Sequence, residues 1–245
     1  MTQHITDKKW PKTIPELTDD QKHIKDEWMK YWHEILPVKY SVVERFNHGF
    51  PANFFNDNNK HRKTINTLEI GAGLGEHIAY EKLDNQSYYV LELRNNMANV
   101  LRERFPVVNV SVGDIQKKTP YNDMQFDRII AIHVLEHLPD LPNALDEIHR
   151  LLKADGNFTV VIPCEGGLAY SIARKISGER AFKKKFNMEY DWLIKTEHLN
   201  QPNEVLYEIK KKFSIIKKSY FPLVIPLSFC NLCIGLNMVK NEVKI

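Results

Sequence analysis

From residue 64 onward, short β-rich runs alternate with stretches whose apolar positions recur at helical spacing. The runs are TINTLEI (64–70), SYYVLEL (87–93), VNVSVG (108–113), FDRIIAIHV (126–134) and FTVVIP (158–163). Between them HIAYEKL, NNMANVLRERF and NALDEIHRLLKADG read as helices, the last stopping at Asp155-Gly156. Buried strands alternating with helices predict a parallel sheet in a doubly wound α/β fold. A further helix, PNEVLYEIKKKF (202–213), leads into SIIKKSYF and CNLCIGLNMVK. Those two runs are close enough in sequence to pair antiparallel, which adds a hairpin to the sheet.

Ahead of the sheet, TDDQKHIKDEWMKYWHEIL predicts an amphipathic helix. Thr18 or Asp19 supplies the N-cap, acids fill the first turn, and Ile24, Trp28, Tyr31, Trp32, Ile35 and Leu36 fall on one face. Trp28 and Trp32 are expected either as core contacts against the main sheet or as part of a lid over a substrate. Residues 1–15 read as loose chain, and FPANFFNDNNKHRK (50–63) reads as a polar loop.

Composition narrows the class. The 245 residues are 43% hydrophobic and 27% charged, ordinary globular usage that excludes a disordered or collagen-like chain. The 34 basic and 31 acidic side chains nearly cancel, so the chain lacks the field of a dedicated nucleic-acid binder. The charge is uneven, however. Residues 171–245 carry 14 basic against 7 acidic side chains, whereas residues 1–170 carry 20 against 24. An anionic partner should therefore meet the C-terminal third. Cys164, Cys230 and Cys233 are too few for a disulfide framework, and the first residues show no apolar leader, so a reducing cytoplasm is the expected location. Phe221–Val239 runs 19 residues without a charge, near the length of a membrane span. Its Pro222, Pro226, Asn231, Gly235 and Asn237 read instead as a strand end, a connection and a second buried strand.

The strongest chemical signal is LEIGAGLGEH (68–77), where a strand runs straight into Gly71, Gly73 and Gly75. Glycines there allow a tight turn and a close approach of backbone N–H groups to a ligand. The G-x-G-x-G spacing disfavours a pyrophosphate cradle. Glu69 can hold the glycine loop or accept a bond from a ligand cation. Glu92, 21 residues after Gly71 and at the end of the second run, is placed to accept ribose hydroxyl bonds. Asp114 in VGDI can accept from an adenine amine, with Ile115 supplying a backbone N–H. Each acid alone is a common solvated strand end; together they form an ordered set on successive strand tips.

At this point the chain resembles the class I S-adenosylmethionine-dependent methyltransferases, close to the type 11/12-like families. The resemblance rests on LEIGAGLGEH, VLELRNNM, VGDI, FDRIIAIHVLEHLPD and LLKADGNFTVVIP, in the family's order over about residues 64–165. It implies a Rossmann-like sheet of seven strands with the last strand antiparallel, here under an N-terminal helical cover. Residues 1–60 would form that extension or lid and 61–245 the methyltransferase domain, with a substrate-side insertion at about 164–201. It further implies S-adenosylmethionine as cofactor, with S-adenosylhomocysteine as product. Gly71, Ala72, Gly73 and Gly75 would pack against the methionine part, Glu92 would bind the ribose, and Asp114 with Ile115 the adenine. Glu69, Leu93 and Ile132 complete the expected cofactor contacts. Glu92 departs from the commoner Asp, keeping the carboxylate while lengthening its reach.

The segment HVLEH (133–137) matches the H-x-x-E-H pattern of a zinc peptidase. That chemistry needs a helix with both histidines on one face, and here the preceding run is a strand. Similar quinone-pathway O-methyltransferases place acidic and His groups of this segment around a divalent cation, but they have Glu where this chain has His133; no metal is expected. IPCEGGLAYSIARKI would turn the backbone at Glu165-Gly166-Gly167 beside the reaction centre. The EHLN stretch contains His198, either a base or hydrogen-bond donor or the orienter of the next helix. Arg174, Lys175, Arg180, Lys183, Lys184 and Lys185 either receive a phosphate or form a solvated face. Cys230 and Cys233 read as structural thiols, since residues three apart on a strand face opposite ways.

The expected function is methyl transfer to a small-molecule or carrier-linked acceptor, sugar- and lipid-linked ones included, with His133, His137 and His198 as candidates for a base or for orienting the acceptor. The alternatives are an RNA methyltransferase using the basic C-terminal third and a non-catalytic nucleoside-binding module. Nucleic acid is not the expected partner. No transmembrane span is expected, peripheral membrane contact stays open, and the sequence is silent on oligomeric state.

Overall fold

The computed structural model describes residues 10–54 and 64–241, apart from the side chains of residues 32–39. Seven strands form one sheet: β1 (Ile65–Ile70), β2 (Gln86–Glu92), β3 (Asn109–Val112), β4 (Phe126–Ile132), β5 (Leu152–Pro163), β6 (Phe213–Phe221) and β7 (Cys233–Lys240). Their order is β3-β2-β1-β4-β5-β7-β6. The first five run parallel, and β7 runs antiparallel between β5 and β6. The doubly wound Rossmann-like sheet of seven strands with an antiparallel last strand is therefore present. The hairpin inferred from SIIKKSYF and CNLCIGLNMVK closes it, with the later strand on the inside. The uncharged run Phe221–Val239 is thus the end of β6, a loop and β7, and no helix of the described residues is long and apolar enough to cross a membrane.

Helices α3 (Asn95–Arg104), α4 (Leu141–Leu151) and α8 (Pro202–Lys212) flank the sheet. One face of the sheet buries Leu68, Leu91, Ile129, Val160 and Leu236 against Leu145 and Ile148 of α4 and Val205 and Ile209 of α8. That alternation is the pleat of a strand meeting the apolar stripe of a helix. α4 ends at Leu151 rather than at Asp155-Gly156, because Leu152 already pairs with Phe126 and the chain continues as β5 across a bulge. Residues 152–157 are recruited by pairing with β4, which overrides the local stop signal.

HIAYEKL does not form a helix. Only single 3₁₀ turns, Ile78–Tyr80 and Leu83–Asn85, separate β1 from β2. α2 (Ser41–Ala52), which takes in the first residues of the expected polar loop, lies against this segment. Its His48 ring stacks on His77 with centroids 5.7 Å apart, and Phe50 packs on Val161 and Cys233. A buried ionic network fixes α2 further: Arg128 of β4 meets Glu81 at 2.8 Å and donates to the Pro51 carbonyl at 2.5 Å, while His77 approaches Glu81 at 2.9 Å. Removing one member of a buried pair like this costs about 3–5 kcal/mol. The rest of the expected loop, residues 55–63, lies outside the described residues together with the expected boundary at residue 60.

α1 (Asp19–Lys39) is the amphipathic helix expected from Thr18, but Trp28 on its aromatic face lies in a cluster away from the main sheet. Trp28 packs instead with Phe182, Tyr190 and Leu193 of the segment after β5, its ring 5.2 Å from Phe182 in an edge contact. That segment comprises α5 (Leu168–Arg174), a π turn (Lys175–Glu179), α6 (Arg180–Phe186) and α7 (Asp191–Glu197). The side chains of Trp32, Ile35 and Leu36 lie outside the described residues. Of the stretch expected to be loose, residues 1–9 lie outside the described residues, while Lys12 is held: it donates through its backbone to Pro139 and through Nζ to the Leu199 carbonyl at 2.7 Å.

Candidate functional site

Every strand from β1 to β5 delivers a singled-out residue at or just beyond its C-terminal end, where ligands of open α/β sheets bind. After β1 the chain turns through Gly71, Gly73 and Gly75, with φ of 66°, 60° and 89°. That left-handed backbone is open to glycine and strained for other residues. Glu92 closes β2, and its buried carboxylate accepts from the Gly73 N–H at 3.2 Å and the Arg94 N–H at 3.0 Å. The acid of one strand thereby holds the glycine turn of its neighbour. Asp114 follows β3 and accepts from the Gln116 N–H at 3.0 Å, with Ile115 buried behind it. Leu93, beside Glu92, is 62% exposed, whereas Ala72 is buried and Ile132 packs with the cluster around Phe50.

Glu69 sits deeper than a ligand contact requires. It is buried on β1 and accepts from the Tyr88 hydroxyl at 2.9 Å. Burial pushes its carboxyl up to about 8, against the lowering by Tyr88, so it holds a proton at neutral pH.

After β4 the three expected histidines come together with partners contributed from far along the chain. HVLEH is not helical where its first histidine lies: His133 leaves β4 at φ 52°, and Leu135–His137 form one 3₁₀ turn. A positive φ at a non-glycine residue is strain of the kind concentrated at functional sites. His133 Nδ1 lies 3.1 Å from the buried Glu136 carboxylate. Burial disfavours the charged ring, but bonds to Cys233 and Glu136 outweigh it and raise His133 well above the ordinary value. Burial likewise works against Glu136, yet His133 and the neighbouring histidines hold it below the ordinary carboxylate range.

His137 donates through Nδ1 to the Glu197 carbonyl at 2.6 Å, and burial lowers its pKa. His198, at the end of α7, is bonded through Nδ1 to Glu165, which overcomes burial and raises its pKa. Glu165 in turn lies 3.8 Å from Arg174. Asn200 locks the arrangement: its side chain donates to the Leu135 and Leu138 carbonyls at 2.8 and 2.7 Å, and its N–H donates to the Glu136 carbonyl. Asn200 is the clamp that sequence reasoning missed. The EHLN pattern was the available signal, but nothing local tells that its Asn closes the LEH turn.

The basic residues after β5 do not converge. Arg174 turns in to Glu165, Lys183 pairs with the acids Glu179 and Glu189, and Lys175, Arg180 and Lys184 are exposed. Cys230 lies in a 3₁₀ turn and Cys233 is buried at the start of β7, both as free thiols.

The chain is similar to known proteins in sequence and fold. Residues 68–160 match the family described as a methyltransferase domain. The chain is 29% identical over 104 residues to a sterol 4-C-methyltransferase of Caenorhabditis elegans, covering 40% of this chain and 31% of that one. It is 23% identical over 180 residues to a demethylmenaquinone methyltransferase of Chlorobaculum tepidum, covering 66% of this chain and 69% of that one. The chain spans less than half the length of the first curated relatives it matches. In three dimensions it resembles a Thermotoga maritima S-adenosylmethionine-dependent methyltransferase described as a possible histamine N-methyltransferase. The TM-score is 0.60 at 18% identity, covering 89% of this chain and 99% of that one. With the glycine turn, the two strand-tip acids and the antiparallel last strand already in place, β1 to β5 carry a stretch similar to the methyltransferase-domain family.

Proposed function

We propose that the protein transfers the methyl group of S-adenosylmethionine to a small-molecule or carrier-linked acceptor. The observation that carries the reading is the row of strand-tip groups running from the glycine turn through Glu92 to Asp114. These residues fit the cofactor. Glu92 accepts from the Gly73 N–H, the Arg94 N–H and Arg94 Nε, and a carboxylate has about four acceptor positions, which leaves capacity for a ribose hydroxyl. Leu93, apolar and largely exposed beside it, supplies a wall for an adenine face, with Asp114 and the Ile115 N–H at its edge. Glu69 supports the loop from below through Tyr88, and Ala72 and Ile132 line the methionine end.

The bound cofactor supplies a methyl group on a sulfonium, already a good leaving centre. The chain's own contribution is to hold the acceptor in line, exclude water and, for a hydroxyl acceptor, take its proton. His133, His137 and His198 border the acceptor side. The segment 164–201, braced by α1 through Trp28, serves as the cover, and the relatives named for a sterol and for demethylmenaquinone favour a small acceptor over RNA.

Calorimetric titration with S-adenosylhomocysteine tests the reading. Wild type should bind, and Glu92→Ala should weaken binding by at least about tenfold, the worth of hydrogen bonds to a charged group. No binding by wild type would remove the proposal.

A further inference from the structure

The most unusual surface of the molecule lies beside the acceptor end of the site. On the helical run after β5, Leu168, Ile172 and Ile176 recur every four residues and are 51%, 51% and 70% exposed. Every residue from Pro222 to Phe229, in the β6–β7 loop, is exposed. Its sequence PLVIPLSF contains one polar side chain, and Val224 at the tip is 89% exposed. The two segments touch: a Cβ on Gly167, the residue before α5, would meet the Ser228 carbonyl at 2.8 Å and the Phe229 Cα at 3.2 Å. They therefore form one apolar surface, larger in character than the isolated exposed hydrophobics normal for a soluble monomer. Its first residue, Leu168, follows closely on Glu165, the partner of His198.

Two further observations say what covers it. The first is charge. Residues 168–185 and 213–230, which carry the apolar positions, contain eight basic side chains and one acidic; of the basic ones, Arg174 is paired with Glu165 and Lys183 with Glu179 and Glu189. The second is the construction of the loop. Asn231 is fully buried and accepts from the Leu223 N–H at 2.8 Å, while its amide donates to the Ile225 and Leu227 carbonyls at 2.9 and 2.8 Å. The Leu227, Cys230 and Asn231 N–H groups bond within the same loop. Several backbone groups of the loop are thus bonded inward while apolar side chains point outward. That arrangement lowers the cost of entering lipid, where no water replaces a missing bond.

We infer that this surface docks the protein on an anionic phospholipid bilayer, with the loop tip in the headgroup–acyl boundary and the basic side chains around it on the lipid charge. Resting on the methyl-transfer reading above, it assigns the acceptor to the class held in or at that membrane by an apolar anchor, presented to the site from the α5 side. Apolar burial plus several basic contacts, each worth about 1 kcal/mol near an anionic surface, gives reversible rather than permanent attachment.

Vesicle flotation of the full chain tests it, with phosphatidylglycerol–phosphatidylcholine vesicles against pure phosphatidylcholine ones. Wild type should float with the anionic vesicles, less so at high salt. Binding should fall at least about tenfold in Val224→Glu/Ile225→Glu and in Lys175→Glu/Arg180→Glu. The substituted side chains are exposed, so S-adenosylhomocysteine titration of both variants should match wild type and report an intact fold. Wild type that stays with the unbound fraction overturns the inference, as does equal flotation of Val224→Glu/Ile225→Glu. So does a wild-type dimer in sedimentation that the same variant dissolves, since that assigns the face to a second copy. Loss of cofactor binding with flotation retained would strike the methyl-transfer reading and leave the docking surface standing.

Discussion

His137 and His198 face each other edge to face, ring centroids 5.1 Å apart. His137 donates to the carbonyl of Glu197, the residue before His198, and His198 is bonded to Glu165. A carbonyl only accepts, so the neutral His137 ring carries its proton on Nδ1 and its basic lone pair on Nε2. The two rings are pushed in opposite directions for a physical reason. Burial lowers His137 below the ordinary 6.5, whereas the Glu165 carboxylate lifts His198 above it.

His137 is therefore the histidine expected to take a proton from a hydroxyl acceptor. With an acceptor found by screening, the rate should rise with pH along a limb whose midpoint lies below 6.5, because the ring must be neutral to act. His137→Asn should lower kcat by roughly 10²–10⁴. His198→Asn should act mainly on KM. A limb centred above 6.5 that vanishes in His198→Asn would transfer the role to His198.

Asn200 is a positioning residue for the same cluster. Asn200→Ala strips hydrogen bonds from the Leu135 and Leu138 carbonyls, which costs about 1–3 kcal/mol where those groups stay buried. Asn200→Asp keeps the shape but presents acceptors to acceptors, and should be worse. The discriminating readout is the pH profile: loosening the turn admits water to His137 and relieves the burial that lowers it, so the limb should move toward the ordinary value of 6.5. Lost stability with an unmoved limb would make Asn200 merely structural.

The contrast between Asn200 and Glu92 explains what the amino-acid sequence made legible. Glu92, Asp114 and the glycine turn each follow a β-rich run, so their places at adjacent strand tips follow from local pattern plus the doubly wound connection rule. The clamp by Asn200 joins segments more than 60 residues apart, and no periodicity encodes such a pairing. The same holds for Trp28, whose helix was readable but whose partners Phe182 and Tyr190 were not. HIAYEKL failed in the other direction. Its spacing is helical, but α2 lies against it through His48 and the Arg128 network, and only a 3₁₀ turn forms.

Glu69 should make stability fall with rising pH. The folded state keeps its proton to about 8, while the unfolded chain releases it near 4.5. Between those values the folded state binds more protons, so the free energy of unfolding declines as pH rises and levels off above about 8. Glu69→Gln keeps the shape and removes the titration. Each tenfold difference in proton affinity between the two states is worth about 1.4 kcal/mol. Urea unfolding should therefore show the variant gaining on wild type by upward of about 2 kcal/mol between about pH 5 and pH 8. A difference that does not change with pH would contradict the burial argument.

Gly235 tests how α2 is seated. In β7 it pairs with Val161, and a Cβ there would meet the Phe50 ring at 2.6–2.8 Å. Phe50 is hemmed in by Phe46 and Phe54, with centroids 5.8 and 4.7 Å away, so the ring cannot give way without moving the helix. Gly235→Ala should therefore destabilise by about 1–3 kcal/mol, the usual cost of overpacking. Ala alone has the better strand propensity, so a loss points to the ring and not the backbone. Phe50→Leu should be destabilising in the wild-type background yet partly rescue Gly235→Ala, giving a coupling energy of the kind contacting residues show. Additive effects in that double-mutant cycle would mean that α2 does not rest on β7 through this contact. Because Glu44 of α2, held low against burial chiefly by His48, also feels the charge of His133, the Gly235→Ala change should also be felt at the acceptor end of the site.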